Sequence, residues 1–414
     1  MKKIKSVSTI IILISLFSLI FNGCSNLEGQ SKKKQILLFS NKIEAVSTYN
    51  KLIEKFEKEN PDIEVTLSAP PDATTVLKTK LVKNDAPDII SLSGSTWDYV
   101  ETNLLEDLTG KLDFDKVDDV YIQMMKDFEI EPKDGIYSVP YALNASGVIY
   151  NKDIFNKLNL KIPNTWDELI ELCKTLQSKD VIPFYFTLKD SWTDLPMWNQ
   201  ITSTLVSVDE LKEVNQGKAN FNDLYSESAD KIAELLKYGH SDNFGVGYND
   251  GNTAFAQEKS AMYLHGSYAI PTILNVNQNI NLGMFPLPVT NNPDDNRLVS
   301  GIDVYFAIPK ESKNKEESIR FINFLLREEN AKQYIDEQSA FSAVKNVNQT
   351  DSKFDILNQW FKEQKIVNFQ DNFYPPELPA SDMIQTYLLD NDKNKLLNNF
   401  QKEWEKANRK YMTK

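Results

Sequence analysis

The chain has 414 residues, with 59 acidic against 46 basic side chains and a formal net charge of −13 at pH 7. So acidic a chain excludes nucleic-acid binding, which needs clustered Lys and Arg, and excludes adhesion to anionic lipid by charge alone. Its 2 Cys and 2 His, with neither His-x-x-x-His nor Cys-x-x-Cys spacing, offer no zinc site and no disulfide framework, so no metal and no cofactor is expected.

The N-terminus fixes the compartment. Lys2, Lys3 and Lys5 precede an apolar run over residues 7–21. This run is shorter than the roughly 20 residues a bilayer span needs, and it has the layout of a secretory signal. It ends in Phe21-Asn22-Gly23-Cys24, which looks like a bacterial lipobox; residues 1–23 are expected to be removed and Cys24 to carry a diacylglyceryl group. Residues 24–34, polar and basic, read as the lipidated Cys and a tether. The protein is therefore expected to be held by its lipid on the extracytoplasmic face of a membrane.

Beyond residue 35 the pattern turns to α/β. Ile36-Leu37-Leu38-Phe39 reads as a buried parallel strand. Val46, Tyr49, Leu52, Ile53 and Phe56 recur at helical spacing until Asn60-Pro61. Ile63, Val65 and Leu67 share one face of a second strand. A helix over 74–82 and a strand over 87–90 complete a doubly wound opening. Ligands of such folds sit at the carboxyl ends of the strands, here Ser40-Asn41 and residues 91–97.

Strands are predicted over 147–150, 181–186, 261–264, 282–285 and 304–308. Helices are predicted over 165–177, 315–327, 329–337 and 393–409, with a largely helical stretch over 191–248. Thr165-Trp166-Asp167-Glu168 opens the first of these as a capping box. No Gly-rich phosphate loop and no Gly-x-Ser-x-Gly elbow is present, which argues for binding over catalysis and against an enzyme.

The landmarks then assemble. Phe39-Ser40 is followed by Leu52 to Val65, Ala86-Pro87-Asp88-Ile89-Ile90 and Tyr137-Ser138-Val139-Pro140-Tyr141. Gly147 to Phe155, Pro163 to Leu169, and Phe255 to Tyr263 with Gly266-Ser267-Tyr268 come next. In this order they resemble the extracellular solute-binding proteins of family 1, the sugar-binding receptors of ABC importers. The likeness runs from about residue 35 to the C-terminus. Glu258 stands where the family has Gly, and Tyr268 where it has Trp.

The resemblance implies an α/β, two-lobed, periplasmic-binding-protein-like fold of type II, with hinge strands between the lobes. Residues 35–143 with 302–342 would form lobe 1, and 144–301 with 343–414 lobe 2, crossing near Leu143, Gly301 and Ser342. It further implies a monomer that captures a mono- or oligosaccharide in the cleft and delivers it to the transmembrane subunits of an ABC permease. A non-sugar solute such as a polyamine is the alternative.

Sugars offer apolar C–H faces that stack on aromatic rings, and hydroxyls that pair with planar polar side chains. Trp97, with Ser95 and Asp98, follows the third strand; Trp192 and Asp194 share a loop of the second lobe. Asn41 and Glu44 follow the first strand. Tyr141 and Asn144 follow the hinge approach, and His265, Ser267 and Tyr268 form a turn that the family places at ligand. Gly301 and Asp303 lie at the return hinge, and Tyr374 on a Pro-rich aromatic loop. All fifteen are expected ligand contacts, and none is expected to be catalytic. Cys24→Ala should leave the protein unanchored with sugar affinity unchanged, as read by membrane fractionation and calorimetry of the purified variant.

Overall fold

A computed structural model describes residues 33–129, 133–375 and 377–409. Cys24, the signal segment and most of the tether lie outside the described residues. Among the described residues no helix is long and apolar enough to cross a membrane.

The strands are β1 (Lys34–Ser40), β2 (Ile63–Ser68), β3 (Ile89–Leu92), β4 (Val139–Asn151) and β5 (Ile182–Phe184). They continue as β6 (Ser260–Gly266), β7 (Leu282–Phe285), β8 (Leu298–Ala307), β9 (Phe341–Ser342) and β10 (Ile366–Val367). All join one mixed sheet whose main path runs β2-β1-β3-β8-β4-β6-β5. The parallel β2-β1-β3 portion follows from the short apolar runs at its centre: Leu38, Phe39, Ile89 and Ile90 are sealed on both faces.

Two cores lie along this sheet. The first packs Phe39, Tyr49, Phe56, Phe306, Phe321 and Tyr334 and extends along the sheet to Phe255, Tyr263 and Met284. The second packs Phe184, Trp198, Phe221, Tyr225, Phe400 and Trp404 in lobe 2. Strand alternation decides which side chain serves which: Val148 and Tyr150 of β4 enter the second core, while Ile149 between them turns to the opposite face and joins the first cluster.

β4 and β8 are far longer than the patterns predicted over 147–150 and 304–308. They pair antiparallel from Val139↔Phe306 to Ser146↔Val299, with register shifts around Ala142. The extra residues include Pro140, Asn144, Ser146, Ser300 and Gly301, so no apolar alternation marks them as strand. At mid-length Leu143 faces Ile302 and Asn144 faces Gly301, while β9 adds Phe341↔Leu143 and Ser342↔Ala142. The three expected crossing positions thus lie side by side. Beyond them Val344 bridges to Val117, and Asp118 N–H donates to Ala343 O at 3.0 Å. Residues 343–347 accordingly still pack on the first core.

Helices obey their end signals. Thr165 caps Trp166–Gln177 by accepting from Glu168 N–H, and Ser207 with Glu210 closes a reciprocal capping box on Val208–Asn215. Glu258, where the resemblance leads one to expect Gly, follows the helix Tyr248–Ala256 with φ 62°. A side chain in that left-handed conformation costs about 1 kcal/mol, of which Gly's greater freedom in the unfolded chain offsets roughly half. Glu258→Gly is therefore expected to raise the unfolding free energy by about 0.5 kcal/mol, measured by urea denaturation.

Candidate functional site

Strand direction builds the site. β1 and β3 run parallel, so their carboxyl ends bring Asn41 and Ser93 together, where Asn41 Nδ2 donates to Ser93 Oγ at 3.0 Å. The same edge receives the midpoint of β4 and β8. There Asp303 Oδ1 accepts from Lys42 Nζ at 2.6 Å and from Asn144 Nδ2 at 3.0 Å. Glu44 stands 3.6 Å from the same ammonium and is more open to solvent.

Lys42 is only 8% exposed, and burial alone would push its pKa down. The carboxylates of Asp303 and Glu44 outweigh that and hold it above the usual lysine value, so it stays charged. Lys42 was not among the sequence-predicted residues. Nothing in Asn41-Lys42-Ile43 distinguishes a buried, paired lysine from a solvated one.

Lobe 2 supplies rings. Trp192, 42% exposed, meets Tyr248 edge-on at 4.9 Å and His265 at 6.0 Å, and His265 lies 6.3 Å from Tyr268. Burial pulls His265 down to about 3, so the ring is neutral, with Nε2 3.3 Å from Thr187 Oγ1. Tyr248 also escaped the sequence reading. It opens the helix Tyr248–Ala256, and a Tyr at a helix start carries no signal of a cleft.

The segment 370–374 is strapped to lobe 2. Gln370 N–H donates to Ser203 Oγ at 3.0 Å, Gln370 Nε2 to Val206 O at 2.8 Å, and Tyr225 Oη to Gln370 Oε1 at 2.8 Å. Asp371 N–H donates to Asn199 Oδ1 at 3.0 Å, and Trp198 Nε1 to Tyr374 Oη at 3.0 Å. The strap borders an interlobe cavity of about 790 Å³, whose other walls include Asn41, Ser95, Trp97, Asp98, Phe128 and Tyr305.

Several polar atoms here have no protein partner: Asn41 Oδ1, Asn144 Oδ1, Trp97 Nε1 and Tyr305 Oη. Two are acceptors only; the indole donates only, and the phenol does both. Among the described residues no arginine lines the cavity, and Asp98, Asp127, Glu129, Asp371 and Glu377 outnumber Lys78 and Lys212.

The expected contacts divide. Asn41, Ser95, Trp97, Asp98 and Tyr374 border the cavity; Glu44, Asn144 and Asp303 gather around Lys42; Trp192, His265 and Tyr268 form the aromatic group. Four others fall elsewhere. Tyr141 is sealed in the first core against Phe306 and Tyr334, because β4 turns it inward where Asn144 turns toward Asp303. Asp194 is fully buried where a short turn leads into the helix Leu195–Leu205. Burial, with Asp382 and Asp371 nearby, holds its carboxyl well above the usual range. Ser267 is buried with Oγ 3.4 Å from Ala145 N–H. Gly301 is covered: a Cβ there would lie 2.7 Å from the Phe369 ring and 2.8 Å from Asn368 Oδ1. Its glycine makes room for the neighbouring chain.

Residues 40–332 match the profile of the bacterial extracellular solute-binding protein family. The chain is similar to the "Multiple sugar-binding protein" of Streptococcus mutans, 30% identical over 81% of this chain and 82% of that one. It is also similar to the melibiose/raffinose/stachyose-binding protein MelE of Bacillus subtilis, 26% identical over 89% and 88%. A sugar transporter from Bacillus licheniformis solved with stachyose superposes with a TM-score of 0.74 at 25% identity, covering 90% of this chain and 100% of that one.

Asp371 connects the site to pH. Burial raises its carboxyl to about 6, against the hydrogen bond from Asn199. Its folded-state value lies above its unfolded one, so the group destabilises the fold at pH above about 6 and ceases to do so as it protonates below that. Asp371→Asn is expected to raise the melting temperature at pH 7 and to lose that advantage near pH 4, measured by calorimetry across pH.

Proposed function

The chain belongs to the bacterial extracellular solute-binding protein family, and from that premise we propose that it captures a neutral oligosaccharide between its lobes. It is the substrate-binding component of an ABC importer and acts by binding, without covalent chemistry. The observation that carries the sugar reading is the set of unpartnered polar atoms: Asn41 Oδ1, Trp97 Nε1 and Tyr305 Oη on residues of the cavity wall, with Asn144 Oδ1 beside Asp303. A hydroxyl donates and accepts at once, so a polyhydroxylated ligand satisfies both kinds of atom where an amine or a phosphate satisfies one. Trp192, held edge-on by Tyr248, supplies an exposed face for a pyranose ring.

The relatives named for raffinose and stachyose support a ligand of about three or four sugar units. A cavity of about 790 Å³ is within the range of small-molecule sites. Anionic solutes fit badly, since Lys42 is already neutralised by Asp303 and Glu44 and among the described residues no arginine lines the cavity. The excess of carboxylates favours a polyamine as the second reading.

Delivery requires a location. Export, removal of residues 1–23 and lipidation of Cys24 would keep a monomeric receptor beside the permease subunits that take its ligand. For the lobes, the cover of residues 343–347 by Lys116–Asp118 favours a third crossing beyond Val347, later than Ser342.

Titration calorimetry and thermal melts of residues 27–414 test the reading with raffinose, stachyose, spermidine and glycerol 3-phosphate. A bound sugar at a hundredfold excess over its Kd should stabilise the fold by about 2.7 kcal/mol. Trp192→Ala should weaken binding about tenfold through the lost stacking face. A melt shifted by spermidine and by neither sugar would overturn the sugar reading.

A further inference from the structure

The lobes touch through a contact that needs no ligand. Phe128, 5% exposed, belongs to the first core, and Phe373 meets it at 5.5 Å between ring centroids with a 56° tilt. Phe373 also packs against the second core, so one ring spans both. Beside it, Asn372 Oδ1 lies 3.4 Å from where a Cβ on Gly94 would stand, and Gly94 has φ +79°. Glycine at that turn lets the lobe 1 loop come up against the strap.

The strap is what makes this contact more than a passing collision. Gln370, Asp371 and Tyr374 tie it to Ser203, Val206, Asn199, Trp198 and Tyr225 by hydrogen bonds of 2.8 to 3.0 Å. Phe373, between these tied residues, carries its ring to Phe128. A rigidly mounted aromatic wedge on one lobe therefore meets a buried aromatic seat on the other.

We infer that Phe373 and Phe128 form an interlobe latch that biases the empty receptor toward its closed form and sets how long a ligand stays. Separating the lobes returns both rings to water, and that penalty exists whether or not the cleft is filled. A ligand that binds the closed form has an apparent affinity scaled by the fraction of receptor already closed. The latch raises that fraction. It slows dissociation, because reopening must break the ring contact, and it also slows association, because entry takes place with the lobes apart. This rests on the interlobe cleft being the ligand site, but the bias itself is a property of the empty protein. Phe373 and Phe128 are positioning residues in this role.

The test uses Phe373→Ala, which leaves every hydrogen bond of the strap in place, with Phe128→Leu as a milder change on the seat. Small-angle scattering of the ligand-free proteins should show a larger radius of gyration for Phe373→Ala, with Phe128→Leu between it and the parent. Stopped-flow kinetics with stachyose should show dissociation faster by about threefold to tenfold, and association faster as well because more of the empty variant stands open. Scattering identical to the parent in both variants would overturn the latch, as a ring that only touches ligand cannot alter the empty receptor. If neither raffinose nor stachyose binds the parent, the sugar reading fails while the scattering still decides the latch.

Discussion

Two strands must cross from one hydrophobic core to another without ceasing to be hydrogen-bonded to each other, and the architecture follows from that requirement. β4 and β8 stay paired from Val139↔Phe306 to Ser146↔Val299, so neither lobe can move without bending the same short stretch of ladder. At each end apolar side chains alternate into a core. At the midpoint Leu143 and Ile302 still face the first core, while Asn144 and Asp303 meet each other by a hydrogen bond of 3.0 Å. The floor of the cleft is thus the place where a continuously buried ladder carries polar side chains in place of apolar ones.

Lys42 is the complement of that floor. A charged lysine at 8% exposure is tolerable only because Asp303 and Glu44 lie within 2.6 and 3.6 Å of it. The pairing also consumes the charge: the ammonium is matched internally, so the cleft shows a ligand dipoles and rings more than a net positive field. The partnerless Oδ1 atoms of Asn41 and Asn144 are the residue of the same arrangement, each amide having spent its N–H group on Ser93 or Asp303.

The sequence made the element order of lobe 1 readable because its strands are short, apolar and sealed, and its helices carry ordinary stop signals at Asn60 and after Val82. β4 and β8 were only half visible, since their crossing halves hold Pro140, Asn144, Ser300 and Gly301 and no period-2 pattern. Among the expected contacts, strand-end loops carry Asn41, Trp97 and Trp192, and the return hinge carries Asp303. Tyr141 and Asp194 misled for a common reason: proximity in sequence to a cleft loop does not say which way a side chain turns. Tyr141 turns into the core, toward Phe306 and Tyr334. Lys42 and Tyr248 carry no signal in the sequence, because each owes its place to a partner distant in the chain.

The exposure of Trp192 gives the molecule a built-in optical label. Trp97, Trp166, Trp198 and Trp404 are each at most 5% exposed and Trp360 is half-buried, against 42% for Trp192. Water already quenches and red-shifts the emission of an open indole, while indoles in an apolar interior are insulated from events outside. Covering the Trp192 ring therefore changes the spectrum of the intact, unlabelled chain. A ligand that covered this face would report its own occupancy in ultraviolet light.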